Sequence, residues 1–206
     1  MKLERLLHQG LHAMGLALPL DIEPRLLEFL RLLEKWNRSY NLTAVRDPEQ
    51  MVARHLLDSL AVLPYVRGPR VLDIGTGAGL PGIPLALALP ETHFTLLDSN
   101  AKKTRFVTQA AHALGLANVS VVQARAEKFQ PAEKFATLLA RAFASIPDML
   151  AATRHLCAPG GRWLAMKGVF PQEELAAIPA DFTAQARPLR IPGLEAARHV
   201  VIIEPR

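Results

Sequence analysis

The 206-residue chain has a single cysteine, Cys157. One thiol excludes an internal disulfide and a cysteine-based zinc site. Long apolar runs are also missing. The longest candidate, Leu80 to Pro90, carries three prolines and falls well short of the roughly 18 residues of a membrane span. The opening residues, Met1-Lys2-Leu3-Glu4-Arg5, interleave charge with apolar groups, unlike a secretory signal. There is no internal repeat and no low-complexity tract. These absences predict a cytoplasmic protein. The composition, half apolar and 21% charged, is that of an ordinary globular chain. Its length suits one domain with an extension and a sizeable core. Cys157 lies in an apolar helical context and reads as a core residue.

What the chain does have is a basic excess, with net charge +5. Residues 1–69 carry 9 basic and 8 acidic side chains, and residues 70–206 carry 15 and 11. The excess therefore sits in the second part. It fits a polyanionic partner such as nucleic acid, and equally a solvated basic surface.

Periodicity divides the chain at Arg67-Gly68-Pro69. Leu26, Leu27, Leu30, Leu33 and Trp36 recur at helical spacing, which predicts a helix over 24–36. Residues 2–16 read as a shorter helix. Asp47-Pro48 reads as N-cap and first helical residue of a third, running to about Leu63. Residues 1–66 thus form a helical N-terminal extension packed on a core domain of 67–206. From Arg70, strands at 70–74, 93–97, 119–123, 136–141 and 161–167 alternate with helices at 81–89, 100–115, 145–157 and 172–178. This alternation predicts a parallel α/β sheet. Residues 182–190 and 198–204 read as a closing antiparallel pair. A seven-stranded, mostly parallel sheet with that close resembles the Rossmann-like class I methyltransferase fold.

The most telling segment is Val71-Leu72-Asp73-Ile74-Gly75-Thr76-Gly77-Ala78-Gly79. A buried strand ends in an acid and opens into glycines whose backbone can approach a ligand closely. A second strand ends in Asp98, placed to accept hydrogen bonds from ribose hydroxyls, though a strand-end turn would also use an aspartate. Gly77, Gly79 and Gly82 satisfy the dinucleotide pattern G-x-G-x-x-G. Asp73 argues against that ligand, because an acid is a poor neighbour for a pyrophosphate. S-adenosylmethionine has no phosphate and carries two cationic centres that suit a carboxylate. Leu80 is placed to pack on this ligand, and the backbone of Ala126 and Glu127 to read the adenine edge. Glu127 could instead begin a surface turn. Arg141, at the end of the fourth strand, sits where open α/β sheets bind ligands, unless it serves a surface ion pair.

Asn41-Leu42-Thr43, His55-x-x-Asp58-Ser59, Asp73 to Gly82, Arg141-Ala142-Phe143 and Lys167-Gly168 together resemble the bacterial small-subunit rRNA guanine-N7 methyltransferases, formerly called glucose-inhibited division protein B. The likeness covers nearly the whole chain. Ala140 stands where the family pattern has Ser. The resemblance implies methyl transfer from S-adenosylmethionine to N7 of a guanine in 16S rRNA, guanine 527 of the 530 loop. It implies cofactor contacts from Gly75, Leu80, Asp98, Ser99, Asn100, Ala126, Glu127 and Arg141. It also implies a partner that is 16S rRNA or the small ribosomal subunit. A monomer without a membrane partner is expected.

Guanine N7 has no proton to lose, so no general base is sought. Arg141 and Lys167 are the best groups to orient O6 or a nearby phosphate. His55 and Asp58 share a helical face. With Asn41 and Thr43 they either floor the guanine pocket or lock the helix to the core by capping. Lys102, Lys103 and Arg105 open the helix after Asp98, where cations are usually disfavoured. They are candidates for holding the RNA backbone or are simply solvated. No metal site is expected. Two rival readings use the same fold: a methyltransferase for a small molecule or protein, and a non-catalytic nucleotide-binding regulator.

Overall fold

The computed structural model describes residues 1–143 and 145–206. The N-terminal part is helical: α1 (Lys2–Ala13), α2 (Ile22–Tyr40), α3 (Pro48–Met51) and α4 (Asp58–Leu60). On α2 the spaced leucines Leu26, Leu27, Leu30 and Leu33 are buried, as an apolar stripe must be. The helix stops at Asn41, which takes the left-handed conformation at φ 50°. Asp47 caps α3 by accepting from the Glu49 N–H at 3.0 Å, with Pro48 as the first helical residue. One feature departs from the expected single helix. Between α3 and α4, Val52–Leu57 is π-helical, a widening often found at functional sites.

The second part is a seven-stranded sheet in the order β3-β2-β1-β4-β5-β7-β6. Its strands are β1 (Arg70–Ile74), β2 (His93–Asp98), β3 (Val119–Gln123), β4 (Phe135–Ala140), β5 (Cys157–Lys167), β6 (Phe182–Leu189) and β7 (Arg198–Pro205). The first five are parallel. The last two run antiparallel, with β7 inserted between β5 and β6. Strands β1, β2 and β4 are buried almost throughout, because helices cover both faces. Side chains alternate across the sheet. Val71, Leu139 and Leu164 join the core beneath the N-terminal helices, α5 (Gly82–Ala88) and α6 (Ala101–Ala113). Leu72, Leu138 and Trp163 join the core beneath α7 (Ile146–Thr153). The helical part shares the first of these cores: Phe29 and Trp36 pack on Phe106 of α6 with ring centroids 6.4 and 5.7 Å apart.

Cys157 is buried, as expected, but it opens β5 rather than closing a helix. Burial pushes its thiol up to about 11, so it stays protonated and unreactive at neutral pH.

From β1 the chain winds outward to β2 and β3, then returns to β4 and winds the other way. The carboxyl ends of β1 and β4 therefore flank the switch point where such sheets bind ligands. Two hollows open at this edge.

Candidate functional site

The first hollow lies over the carboxyl ends of β1 and β2. It measures about 210 Å³ and is lined by Ile74, Gly75, Leu97, Asp98, Ser99, Ala124 to Glu127, Ala142 and Phe143. Its rim is the glycine loop, and hydrogen bonds fix that loop's shape. Asp98 accepts from the Gly77 N–H at 2.9 Å and from the Asn100 N–H at 2.8 Å. The Thr76 N–H donates to the Leu97 carbonyl at 3.0 Å. Gly75 and Gly77 sit at φ 66° and 59°, a region that penalises any residue with a Cβ. A Cβ on Gly75 would meet no atom within 4 Å. The loop thus presents bare backbone to open space, which is the surface that a close-lying ligand requires.

Asp73 does not line this hollow. It is fully buried, and its Oδ2 accepts from the Thr76 hydroxyl at 2.6 Å and the Gly82 N–H at 2.9 Å. Burial raises its pKa to about 6, against the pull of these hydrogen bonds. Asp73, expected to face a cofactor cation, lies beneath the loop and outside the lining of this hollow. The position of Asp73 bears on a dinucleotide in another way. The carboxylate occupies the N-terminus of α5, where a pyrophosphate would otherwise sit. Gly82 is required by contact: its Cβ would lie 2.2 Å from Leu96 Cδ2 and 2.7 Å from Asp73 Oδ2.

Leu80 is also displaced from expectation. It is 2% exposed and packs in the core, so its side chain is not on the hollow's surface. Gly79 is buried against Ile83. Asn100 uses its side chain to cap α6, accepting from the Lys102 and Lys103 N–H groups at 2.9 and 3.4 Å. Of the expected cofactor residues, Gly75, Asp98, Ser99, Ala126 and Glu127 line the hollow together.

The second hollow, about 350 Å³, lies over β5 and β7 against the π-helical turn. Its lining includes Val45, Arg54, His55, Asp58, Arg141, Met166, Lys167 and Arg198. Asp58 is its anchor. Buried to 3% exposure, it faces Arg198 Nε at 3.1 Å and Arg141 Nη1 at 3.6 Å. Burial raises its pKa, while the two guanidiniums pull it down. Lys167 Nζ pairs with Glu174 at 2.8 Å. Three guanidiniums and an ammonium thus surround one buried carboxylate and one paired glutamate. The cavity is cationic, with apolar wall from Val45 and Met166. That combination suits a planar base attached to a phosphate.

His55 reaches this cavity from the π-helical turn. Its Nε2 shares a 3.0 Å hydrogen bond with the Thr43 hydroxyl, and its Nδ1 is buried without a partner. Desolvation lowers its pKa to about 4, so it is neutral at pH 7. Asn41 was expected here and is absent from the lining. It is exposed, terminates α2 and accepts from Arg46 at 3.1 Å. Asn37 does the positioning: its side chain brackets Thr43 with bonds of 3.0 and 2.9 Å. The motif's task is to turn the chain so that Thr43 meets His55.

Lys102, Lys103 and Arg105 line neither hollow. They start α6 on the first hollow's side, with Lys103 Nζ 4.0 Å from Asp98. That carboxylate and the Asn100 cap explain how cations are tolerated in a first turn. Arg54 and Arg198 were not anticipated. Arg198 had a readable signal, since a strand returning antiparallel to β5 must bring its start to the end of β5; Lys167 pairs with His199 in that register. Among the described residues no group of three or more His, Cys, Asp or Glu gathers to hold a metal, and no helix is long and apolar enough to cross a membrane.

Comparison with known proteins agrees with this architecture. A family profile described as rRNA small subunit methyltransferase G matches residues 22–201. The chain is 52% identical over 204 residues to a ribosomal RNA small subunit methyltransferase G of Nitrosococcus oceani, covering 98% of this chain and 95% of the relative. A Pseudomonas aeruginosa protein of the same name is 52% identical over 199 residues, covering 96% and 93%. Among solved structures, the O-methyltransferase TomG of Streptomyces achromogenes, in complex with SAM, aligns with a TM-score of 0.63 at 19% identity, covering 100% of this chain and 99% of that one. A putative O-methyltransferase from Klebsiella pneumoniae aligns at 0.61 and 17% identity, covering 86% and 90%. At such identities these two speak for the fold alone.

Proposed function

This chain belongs to the rRNA small subunit methyltransferase G family, and from that premise we propose that it methylates N7 of a guanine in 16S rRNA, guanine 527 of the 530 loop. It is a methyltransferase that uses S-adenosylmethionine, and small-subunit rRNA is its substrate. The observation that carries the atomic reading is the adjacency of the two hollows. Arg141 lines the cationic one, while its chain neighbours Ala142 and Phe143 line the other. A base seated on one side of this short segment lies next to a cofactor seated on the other.

S-adenosylmethionine, when bound, supplies an electrophilic methyl group. Gly75 and Gly77 give it bare backbone, Asp98 gives it acceptor oxygens, and Ala126 and Glu127 border the same hollow, with Ser99 at its rim. Asn100 serves the site through the cap it makes. Guanine N7 is an unprotonated acceptor, so the chain has no proton to remove. Its work is alignment and exclusion of water. The neutral His55 and buried Asp58 form one wall without offering a base that must act. Arg141, Lys167 and Arg198 donate toward O6 or a phosphate, as charged donors do most strongly. Lys102, Lys103 and Arg105 extend the cationic track toward more distant phosphates. The reading takes the enzyme as a cytoplasmic monomer, with residues 1–66 as an extension packed on the catalytic domain.

The test is methyl transfer from labelled cofactor to small ribosomal subunits of a deletion strain, with the product nucleoside mapped by mass spectrometry. N7-methylguanosine at the 530 loop is expected. A methyl group on any other atom or nucleotide overturns the reading.

A further inference from the structure

Only a few large apolar side chains are exposed among the described residues. Two of them, Val169 at 82% and Phe170 at 50%, are adjacent. They follow Lys167-Gly168, the pair that lines both the cationic cavity and a neighbouring open groove of about 750 Å³ formed by residues 167 to 174 and Ala176. The apolar pair therefore stands at the mouth of the substrate cavity.

The ring is held rather than loose. Phe170 packs edge-to-face on His199, with centroids 5.6 Å apart and planes at 78°. The His199 ring is itself tied through Nδ1 to the Gly168 carbonyl at 3.0 Å. Beyond the loop, helix α8 (Gln172–Ala176) is anchored by Glu174, which accepts from Lys167 Nζ at 2.8 Å and from the Ile146 N–H at 2.6 Å. Both ends of the loop are fastened. An aromatic ring held by a neighbouring ring and still half exposed keeps surface free for a further contact.

We propose that Phe170 is a stacking platform for an unpaired nucleobase next to the target guanine in the rRNA. The inference rests on the reading that the target base occupies the cationic cavity. A guanine drawn into that cavity leaves its stack, and its neighbours lose a face. A rigid ring at the cavity mouth replaces that face, while Lys167 and Arg198 flank the connecting phosphates. The charge around the pair selects this occupant over a protein surface. Four cations, Arg54, Arg141, Lys167 and Arg198, crowd the same mouth, and such a cluster attracts the phosphates of a polyanion. Val169 adds apolar contact beside the ring.

The test compares Phe170→Ala, Phe170→Leu and Phe170→Trp with wild type in steady-state methyl transfer to undermethylated small ribosomal subunits. Cofactor affinity is followed by calorimetry and folding by thermal melting. Stacking on one aromatic predicts a loss in kcat/KM of about five- to a hundredfold for Phe170→Ala, carried mainly by KM. Phe170→Leu should be as impaired, Phe170→Trp should match wild type, and the salt dependence should keep its slope, because no charge is removed. Full activity in Phe170→Ala overturns the proposal. So does full rescue by Phe170→Leu, which would mark a generic apolar contact such as a ribosomal protein. Lys167→Ala, run in parallel, separates this failure from that of the cavity reading. If Lys167→Ala is impaired while Phe170→Ala is not, only the stacking platform fails. If neither is impaired, both fail.

Discussion

The two hollows at the sheet edge are built in different ways. The first is made by successive segments within residues 74–143: the β1 loop, the end of β2, the turn after β3 and the residues after β4. Its backbone is locked by main-chain hydrogen bonds to Asp98. The second is made by side chains from opposite ends of the chain. Asp58 of the helical part holds Arg141, just after β4, and Arg198 of the last strand. A shape made of backbone tolerates no Cβ, whereas a charge constellation tolerates substitutions that keep its partners. The difference predicts that damage to the first hollow removes cofactor binding, and damage to the second removes transfer with cofactor still bound.

The largest effects belong to the glycine loop. Gly82→Val drives a side chain into Leu96 and Asp73. It should cost about 1–3 kcal/mol of stability by overpacking and abolish cofactor binding in calorimetry. Gly75→Ala sharpens the contrast, since its Cβ enters open space. Its folding cost should be only the about 1–2 kcal/mol of left-handed backbone, yet cofactor affinity should still fall. Unchanged affinity in Gly75→Ala would break the assignment of this hollow.

Next comes Asp58→Ala. It leaves Arg141 and Arg198 facing each other without their carboxylate, at a cost of about 1–3 kcal/mol in chemical denaturation. Transfer to small subunits should drop while cofactor affinity holds. A loss of cofactor affinity equal to the loss of transfer would merge the two sites into one.

Buried groups around the two hollows respond to acid in opposite directions. His55 has a folded pKa near 4, below its ordinary value of 6.5. The unfolded chain binds the proton first, so this contribution is lost as pH falls from about 6.5 to 4. Asp73 has a folded pKa near 6, above its ordinary 3.8. Its contribution is present at low pH and lost as pH rises from about 4 to 6. The slopes oppose each other in that window, and Asp58, also raised, adds to the Asp73 slope. His55→Gln should therefore make stability fall more steeply with rising pH between 4 and 6, and Asp73→Asn should tilt it the other way. Urea midpoints across pH check both signs, and parallel profiles for the two variants would refute them.

The smallest effect is electrostatic and distant. Lys102 and Lys103 line neither hollow. Replacing both with Ala should leave cofactor affinity intact and reduce the salt slope of RNA binding by at most about 0.7 for each phosphate these lysines neutralise. A collapse of transfer at physiological salt would place the guanine site near α6 instead of β5.

This contrast also explains what could be read in advance. The order of strands and helices follows from periodicity, because alternation and turn residues are local signals. Strand β3 begins and ends at the expected residues, 119 and 123. The glycine loop, Asp98 and the Ala126-Glu127 turn were legible for the same reason. Arg198 was not read in advance, because its signal is not local: it depends on a strand that returns antiparallel to β5 from the far end of the chain. Nor was the π-helical turn at Val52–Leu57, where the residue pattern still reads as an ordinary helix. Asp73 and Asn41 were named for their chemistry, but burial under the loop and a left-handed helix end give them architectural work.

The claim at the centre is that the cationic cavity, separate from the cofactor hollow, holds the target nucleotide. Arg198→Ala tests it most directly, because Arg198 lines that cavity and not the other. The measurement is the rate of methyl transfer to small ribosomal subunits by a variant whose cofactor affinity equals that of wild type. Loss of one charged donor to a phosphate or O6 predicts a fall of roughly ten- to a hundredfold. A wild-type rate would contradict the account.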